Sequence, residues 1–393
     1  MDFEFWWLLA FPLFFALGWL AARVDIRQVV TESRALPNSY FRGLNFLLNE
    51  EPDKAIEAFL EVVKLEPETV DLHFALGGLF RRRGEIDRAI RMHEHLLDRE
   101  GLSQEHRLRA LCELGQDYLK AGLLDRAESV FTRLMESEQQ PQARKYLLEI
   151  YVQEKDWPRA IEAARVLEQN TSKPLNAEIA HFHCEMAVAE AARGNLDAAR
   201  ALLHDALASN RLSVRANLML GDLEASAGRF EAAIAYWKLV EAQSPAHMAL
   251  VVERILDGYR QLGRLDEGTQ WLRALYARLP SQDLFNALYL AVAEAQGAAA
   301  ATELARDALR RNPTLRTLDR LLEAELMRAP PEERELLQIE KNLVASHSQR
   351  LMRYQCANCG FRAKQYFWRC PACGRWDSFD PERREGELPG EKR

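Results

Sequence analysis

Residues 84–90 read Gly-Glu-Ile-Asp-Arg-Ala-Ile, and variants of this phrase return along most of the chain. In this copy a turn glycine is followed by Asp87, and a small residue, Ala89, comes two positions later. The same small place is filled in turn by Ala55, Ala89, Ala127, Ala160, Ala199, Ala233 and Gly268, at steps of 34, 38, 33, 39, 34 and 35 residues. A period in this range predicts a protein built from stacked repeats.

A period near 34 residues with one small residue at a fixed place is typical of tetratricopeptide repeats, in which each repeat is a pair of antiparallel helices. In the copy that starts at Val70, Leu76 and Gly77 fall in the first helix, and Gly84 separates it from the second. Ala89 then lies where the two helices cross, because only a small side chain lets their backbones approach closely. The repeats before and after this one match it at the same positions.

The length of the chain fits this architecture. A chain of 393 residues is too long for a single compact core, whereas a solenoid buries a continuous stripe between neighbouring helix pairs. We predict an all-α superhelix of about eight repeats over residues 36–313, with atypical capping helices over residues 314–349. The net charge of −7 argues against general nucleic-acid binding, which requires a basic surface.

Residues 5–22 form an uncharged run rich in Phe, Trp and Leu. As a helix these residues would extend about 27 Å, which is enough to cross the hydrocarbon core of a bilayer. Trp6, Trp7 and Trp19 fall near the two ends of the run, where membrane proteins concentrate aromatic residues. We therefore predict a transmembrane anchor over residues 1–23, followed by a short linker over residues 24–35.

Charges on either side of the run predict its orientation. Arg23 and Arg27 follow it, and the positive-inside rule places that side in the cytoplasm. The prediction is a single-pass inner-membrane protein with a periplasmic N-terminus and its bulk on the cytoplasmic side. The alternative is a cleaved signal peptide, which the acidic residues Asp2 and Glu4 disfavour because such peptides begin with a basic region.

The C-terminal part contains two Cys-x-x-Cys-Gly knuckles. The four thiols belong to Cys356, Cys359, Cys370 and Cys373. Two knuckles together predict one tetrahedral four-sulfur site for zinc or iron, closed to further ligands and therefore structural. Two disulfides or a redox-active pair are the alternatives; a reducing cytoplasm opposes the first, and the absence of a βαβ pattern opposes the second.

We assign residues 350–380 to a rubredoxin-like metal ribbon and residues 381–393 to a polar, disordered tail. Aromatic residues are dense in the ribbon, and we expect some to pack the knuckles and others to dock the ribbon onto the repeats. They are Tyr354, Phe361, Tyr366, Phe367, Trp368 and Trp376.

Other candidate sites are weaker. Cys112 and Cys184 lie on repeat helices and are interpreted as buried free thiols. His181 and His183 are two positions apart on a helix, so they do not share a face or a metal ion. The chain shows no phosphate-binding loop, nucleophile elbow or zinc-protease motif, and we predict that it is not an enzyme.

The faces of the first helices are expected to form a groove for a protein partner. Helical periodicity selects eight side chains for this groove. They are Arg81, Arg109, Gln116, Lys120, Lys145, Glu149, Arg215 and Asp222.

The order of parts, anchor then tetratricopeptide repeats then four-cysteine ribbon, is unusual. The ribbon reads Tyr-x-Cys-x-x-Cys-Gly-Phe over residues 354–361 and Trp-x-Cys-Pro-x-Cys-Gly-x-Trp over residues 368–376. With these motifs, nearly the whole chain resembles the LapB (YciM) family of lipopolysaccharide assembly proteins of Gram-negative inner membranes. The resemblance implies that Cys356, Cys359, Cys370 and Cys373 are the metal ligands and that the ribbon packs against the repeats.

The same resemblance implies an adaptor without catalytic activity. In that family the adaptor brings the membrane protease FtsH to the lipid A deacetylase LpxC, and a membrane protein of the YejM (PbgA) type restrains it. The implied outcome is regulated proteolysis that limits lipopolysaccharide synthesis.

Two other functions remain open from the residues alone. One is a general scaffold for envelope assembly, and the other is an electron carrier that uses iron in the ribbon. The sequence also leaves open whether the metal is iron or zinc and whether the chain forms a homodimer.

Overall fold

The computed structural model describes residues 14–16, 18, 19, 38–65, 69–170 and 174–385. It confirms the predicted fold class of helical tetratricopeptide hairpins followed by a small ribbon. The chain divides into two compact units, Met1–Asp156 and Trp157–Arg393.

The described part of the first unit is a series of helices joined by short turns. They are α1 (Asn38–Leu48), α2 (Pro52–Leu65), α3 (Val70–Arg82), α4 (Ile86–Leu97), α5 (Gln104–Lys120), α6 (Leu124–Arg133) and α7 (Gln140–Glu154). Consecutive helices pack against each other, so that α1 and α2, α3 and α4, and α5 and α6 each form a hairpin.

The second unit continues the helical series and ends in the ribbon. Its helices are α8 (Trp157–Asn170), α9 (Asn176–Ala192), α10 (Leu196–Ser209), α11 (Val214–Ser226), α12 (Phe230–Gln243), α13 (Met248–Gln261), α14 (Leu265–Arg278), α15 (Gln282–Arg311), α16 (Leu315–Arg328) and α17 (Pro331–Leu351). Inside α15 the backbone of Gly297 leaves the helical region at φ 84°, and this break divides α15 into two packed halves.

The repeated phrase produces a repeated hairpin turn. Gly84 has φ 80°, a left-handed value that only glycine adopts without strain, and it ends the turn after α3. Gly122, Gly194, Gly228 and Gly263 do the same in later turns, with φ between 67° and 85°. In these turns a glycine of the phrase takes the left-handed position, whereas Glu50 and Lys155 take it in two other turns, with φ of 58° and 59°.

The small place of the phrase lies at the helix crossing, as predicted. The alanines at positions 55, 89, 127, 160, 199 and 233 have no exposed surface, and Gly268 is also buried. Any larger side chain there would separate the two helices of its hairpin.

A second regularity joins the two helices of a hairpin. A glycine on the first helix faces a large ring on the second helix 16 positions later. The pairs are Gly43 with Phe59, Gly77 with His93, Gly115 with Phe131, and Gly221 with Trp237. A Cβ atom built on any of these glycines would lie within 2.7 Å of the ring, so the ring fills the space that a side chain would need.

In one hairpin of the first unit this ring is a histidine. His93 and Asp117 are both fully buried, and His93 Nδ1 lies 2.5 Å from Asp117 Oδ2. Arg81 donates to the other carboxylate oxygen of Asp117 at 2.8 Å and to Glu113 at 2.6 Å. Buried charges are stable only when paired in this way, so the network fixes how α3 and α4 pack on α5.

Most of the predicted anchor and linker, with Arg23 and Arg27, lies outside the described residues. Residues 14–16, 18 and 19 are helical, and Phe14 and Phe15 expose most of their surface. None of the helices that the structure describes has both the length and the apolar character needed to cross a bilayer.

The ribbon contains a three-stranded antiparallel sheet in the order β2-β1-β3. The strands are β1 (Met352–Gln355), β2 (Arg362–Ala363) and β3 (Arg384–Glu385), and β1 follows α17 directly. The prediction placed residues 381–385 in a disordered tail, whereas β3 pairs with β1 there and Arg383 is bonded to Asp283. Residues 386–393 lie outside the described part.

Candidate metal centre and its docking on the repeats

The two knuckles have matching backbones. In the first, the Cys356 amide donates to the Phe361 carbonyl, and the Gly360 amide donates back to the Cys356 carbonyl. In the second, Cys370, Gly374 and Arg375 repeat both bonds. Gly360 and Gly374 have φ of 75° and 71°, which explains why each knuckle carries a glycine after its second cysteine.

The four sulfurs form a compact cluster. The Sγ atoms of Cys356, Cys359, Cys370 and Cys373 all lie within 4.8 Å of one another. Sγ of Cys356 is 3.8 Å from Sγ of Cys373, and Sγ of Cys359 is 3.7 Å from Sγ of Cys370. Metal–sulfur bonds of about 2.3 Å in a tetrahedron place sulfurs about 3.8 Å apart, so the cluster fits one zinc or iron ion.

The protein also prepares the sulfurs to bind metal. Burial alone would raise the pKa of the Cys356 thiol. The Ser378 hydroxyl and the backbone amides of Cys359 and Asn358 outweigh burial and lower this pKa to about 6. The backbone amide of Arg375 likewise lowers the pKa of Cys373. One sulfur of each knuckle is therefore favoured as the thiolate that a metal ion requires.

The two remaining thiols, Cys112 and Cys184, are free and buried, as predicted. Burial raises the pKa of Cys184 to about 12. It is therefore an inert thiol.

The ribbon docks on the repeats through residues next to the second knuckle. His181, in the first turns of α9, donates from Nε2 to Asp377 at 2.7 Å. Its ring also stacks on Trp376, with centroids 4.6 Å apart and planes 12° apart. Arg215, at the start of α11, lies on the other side of this contact, 6.0 Å from the Trp376 ring.

A second contact forms just before α13. The His247 ring stacks on Trp368 with an angle of 2° between the planes, and its Nε2 lies 3.2 Å from the Tyr366 hydroxyl. Burial lowers the pKa of His247, and this effect exceeds the opposing influence of Asp377 and Asp380. The neutral ring is therefore the form that fits the docked ribbon.

A third contact closes the far end of the interface. Asp283, buried at the start of α15, accepts from Arg383 Nη2 at 2.5 Å and from Arg316 Nη1 at 2.7 Å. A buried carboxylate held by two guanidinium groups is costly to uncover, by about 3–5 kcal/mol when a partner is removed. The ribbon thus lies across the N-terminal ends of α9, α11, α13 and α15.

The predicted groove residues fall into two groups, and the first group is largely covered or paired. Arg215 is only 8 % exposed and pairs with Glu185, so it belongs to the interface with the ribbon and not to an open groove. The Arg81 side chain is mostly covered because it is bonded to Asp117 and Glu113. Asp222 pairs with Arg254 on the next first helix, and burial raises its pKa.

The other groove candidates lie on α5 and α7. Arg109 bridges to Asp71 on α3 and is about half exposed. Gln116 points back to the Cys112 carbonyl of its own helix. Lys120, Lys145 and Glu149 are exposed.

The docking residues were not identified from the sequence, apart from the expectation that some ribbon aromatics would reach the repeats. That expectation is confirmed for Tyr366, Trp368 and Trp376, whereas Phe361 and Phe367 pack on Phe379 inside the ribbon. His181 and Asp377 are 196 positions apart, and no local pattern links them. A signal was available in the sequence, because His73, His106, His181 and His247 all lie near the starts of first helices. Of these, His181 and His247 contact the ribbon.

Two protein families match parts of this chain. A rubredoxin metal binding domain matches residues 354–381, and a tetratricopeptide repeat family matches residues 42–92, 112–174 and 184–247. Among solved structures, a tetratricopeptide repeat protein from Parabacteroides merdae is 15% identical and covers 73% of this chain and 99% of its own, with a TM-score of 0.29.

Two curated relatives extend over nearly the whole chain. Lipopolysaccharide assembly protein B of Escherichia coli (strain K12) is 34% identical over 378 residues, which covers 95% of this chain and 97% of the relative. The protein of the same name in Haemophilus influenzae is 29% identical over 384 residues, with the same coverage. The chain therefore belongs to the lipopolysaccharide assembly protein B family.

Proposed function

We propose that this protein is a non-catalytic adaptor that regulates lipopolysaccharide assembly at the inner membrane. In this proposal it brings the protease FtsH to the lipid A deacetylase LpxC, and a YejM-type membrane protein restrains it. The observation that carries the proposal is the docked ribbon, which joins the metal centre to the repeats through contacts at His181, His247 and Asp283.

The metal site supports a structural role more than catalysis at the metal. Four cysteines complete a tetrahedral site, and a closed site holds no position for a substrate. A zinc or iron ion bound there supplies a cross-link between the two knuckles. Trp376 and Asp377 follow the second knuckle directly, so the fold of that knuckle positions both docking residues.

The first-helix surface of the first unit is the proposed partner site. Arg109, Lys120, Lys145 and Glu149 place both signs of charge on α5 and α7 in exposed positions. Exposed charges of this kind select a partner and speed its association more than they add affinity. A membrane anchor over residues 1–23 would confine this surface near membrane-bound partners and raise their effective concentration.

The proposal is tested by the half-life of LpxC in cells. The variant carries Cys370→Ser and Cys373→Ser at the native locus, and LpxC decay is followed by immunoblot after protein synthesis is stopped. We expect a longer half-life because the second knuckle and its docking residues lose their fold. The level of the variant protein is measured on the same samples.

Cys112→Ser is the matched control, since it makes the same chemical change at a buried thiol outside the metal site. It should leave the LpxC half-life near the wild-type value. An unchanged half-life in the double variant, with the protein present at normal level, contradicts a role of the ribbon in proteolysis. That result would favour a general scaffold for envelope assembly.

A further inference from the structure

The first helix of the described repeats leaves one apolar face uncovered. Phe41, Leu44 and Leu48 are 54%, 37% and 81% exposed. They stand at spacings of three and four, so they share one side of α1. The opposite side of α1 is already occupied, because Phe46 and Leu47 pack into the core that contains Phe59.

We propose that this face of α1 lies on the surface of the lipid bilayer. The proposal rests on the membrane anchorage proposed above, and it adds a second contact between the protein and the membrane. The contact would set how the first repeats stand on the membrane.

Chain length places α1 near the bilayer. The uncharged run ends at Ala22, and α1 begins 16 positions later at Asn38. Even a fully extended segment of that length reaches at most about 55 Å. A helix tethered this closely meets the membrane surface at high effective concentration, so a modest affinity suffices to hold it there.

The composition of α1 suits a lipid surface. The helix contains no acidic residue, and its one charged side chain is Arg42, which is exposed. Glu50 and Glu51 come only after its last turn. Aromatic and leucine side chains with a nearby cation are typical of helices that lie in the interface of an anionic membrane.

A second exposed stripe on α17 provides the contrast. Leu336, Ile339 and Leu343 are also exposed on one side of their helix. This stripe is flanked by acidic residues, which an anionic lipid surface repels. They are Glu332, Glu333, Glu335 and Glu340, and they outnumber the two basic residues beside the stripe, Arg334 and Lys341. The two stripes differ in the charge around them and not in their apolar character. We therefore assign the membrane contact to α1 and not to α17.

A second copy of the chain is the other occupant to consider. Stable interfaces bury about 800 Å² on each partner, which three side chains on an eleven-residue helix do not provide. A lipid surface needs no such complementary area, because each apolar side chain gains by leaving water independently.

Photo-crosslinking in vesicles tests the contact. The full-length, metal-loaded protein carries benzoylphenylalanine in place of Phe41 or, separately, Leu48. It is reconstituted into vesicles of phosphatidylethanolamine and phosphatidylglycerol, floated on a density gradient and illuminated. Lipid adducts are measured by mass spectrometry of the purified protein.

The matched control carries the same probe at Leu336. We expect roughly fivefold more lipid adduct at positions 41 and 48 than at 336, because only the face of α1 enters the interface. Flotation without lipid adducts at 41 and 48, or a crosslinked dimer at these positions, overturns the contact and leaves the anchor intact. Loss of flotation overturns the anchor and the contact together.

Discussion

At the scale of single residues, the glycines of the repeats have two distinct roles. Turn glycines such as Gly84 are required for their backbone angle, whereas Gly77 is required for its missing side chain. The Cβ of an alanine at position 77 would lie 2.4 Å from the His93 ring, while at the neighbouring Gly78 it would meet nothing within 4 Å. Position 77 cannot relax, because His93 is held by Asp117.

Adjacent glycines therefore make a matched test. We expect Gly77→Ala to reduce the free energy of unfolding by about 1–3 kcal/mol through overpacking. Gly78→Ala should instead raise it by about 0.5–1 kcal/mol, since alanine loses less backbone entropy in a helix. Urea denaturation followed by circular dichroism measures both, and equal effects of the two substitutions would contradict the proposed packing.

His93 shows how one position in a repeat acquires a special role. In other hairpins the same place holds Phe59, Phe131 or Trp237. The two Phe rings contribute packing and surface burial, and Trp237 also donates from Nε1 to the Leu218 carbonyl at 3.2 Å. Here the ring also bonds to Asp117 on the next first helix, and Asp117 holds Arg81. Removal of Asp117 would leave the buried His93 Nδ1 without its partner and would take one of two carboxylate partners from Arg81, which keeps Glu113. The packing of this hairpin therefore depends on its neighbour.

At the scale of elements, the ribbon is held by contacts at the starts of four helices. The contacts differ in chemistry. Asp283 forms an ion pair, the His247 ring stacks, His181 combines stacking with a hydrogen bond, and the Arg215 guanidinium lies near the Trp376 ring. Because these residues belong to separate repeats, the ribbon also links repeats that otherwise contact only their neighbours. We infer that docking stiffens this part of the solenoid.

The histidine contact predicts a pH dependence of docking. Burial lowers the pKa of His247 below its ordinary value of 6.5. The undocked or unfolded state therefore binds the proton more readily. His247 thus contributes stability that is present above about pH 6.5 and is lost as the pH falls below it. The negative charges of Asp377 and Asp380 raise the pKa of His247, but by less than burial lowers it.

Thermal unfolding of the metal-loaded protein between about pH 7.5 and 5.5 measures this effect. In the wild type, the melting temperature of the second unit should decrease as the pH falls. We expect His247→Gln to make this decrease smaller. His95→Gln, at an exposed histidine, should leave the decrease unchanged. Metal content is determined at each pH, because the thiols also bind protons. A variant that keeps the full wild-type pH dependence would show that other groups cause it.

At the scale of the whole molecule, the division into two units predicts a selective response to metal removal. The ribbon belongs to the unit Trp157–Arg393, and the unit Met1–Asp156 contains none of the four ligands. Metal binding and ribbon folding are coupled, since four thiolates without an ion repel one another.

Chelation under reducing conditions should therefore lower the unfolding temperature of the second unit by several degrees and leave the first unit unchanged. Calorimetry measures the transitions, and hydrogen exchange should show lost protection at the starts of α9 and α13 as well as in the ribbon. The Cys356→Ser variant serves as the control, because chelator should have no further effect on it. Protection retained around His181 and His247 after complete metal removal would contradict the coupling.

Much of this organisation follows from the sequence alone, because local rules determine it. The 34-residue period, the turn glycines and the buried alanines identify the hairpins, since each depends only on residues within one repeat. The two knuckles identify Cys356, Cys359, Cys370 and Cys373 as ligands, since a tight turn brings each pair together. Helical periodicity alone could not show that Arg215, one of the predicted groove residues, is covered.

Only the tertiary structure decided where the ribbon docks and which charged residues are buried. The contacts between His181 and Asp377 and between Asp283 and Arg383 join positions 196 and 100 residues apart. Such contacts depend on how the curvature of successive repeats accumulates, and no single repeat encodes that curvature. The sequence by itself therefore determined the parts, their order and the metal ligands, while packing between distant residues decided the interface that joins them.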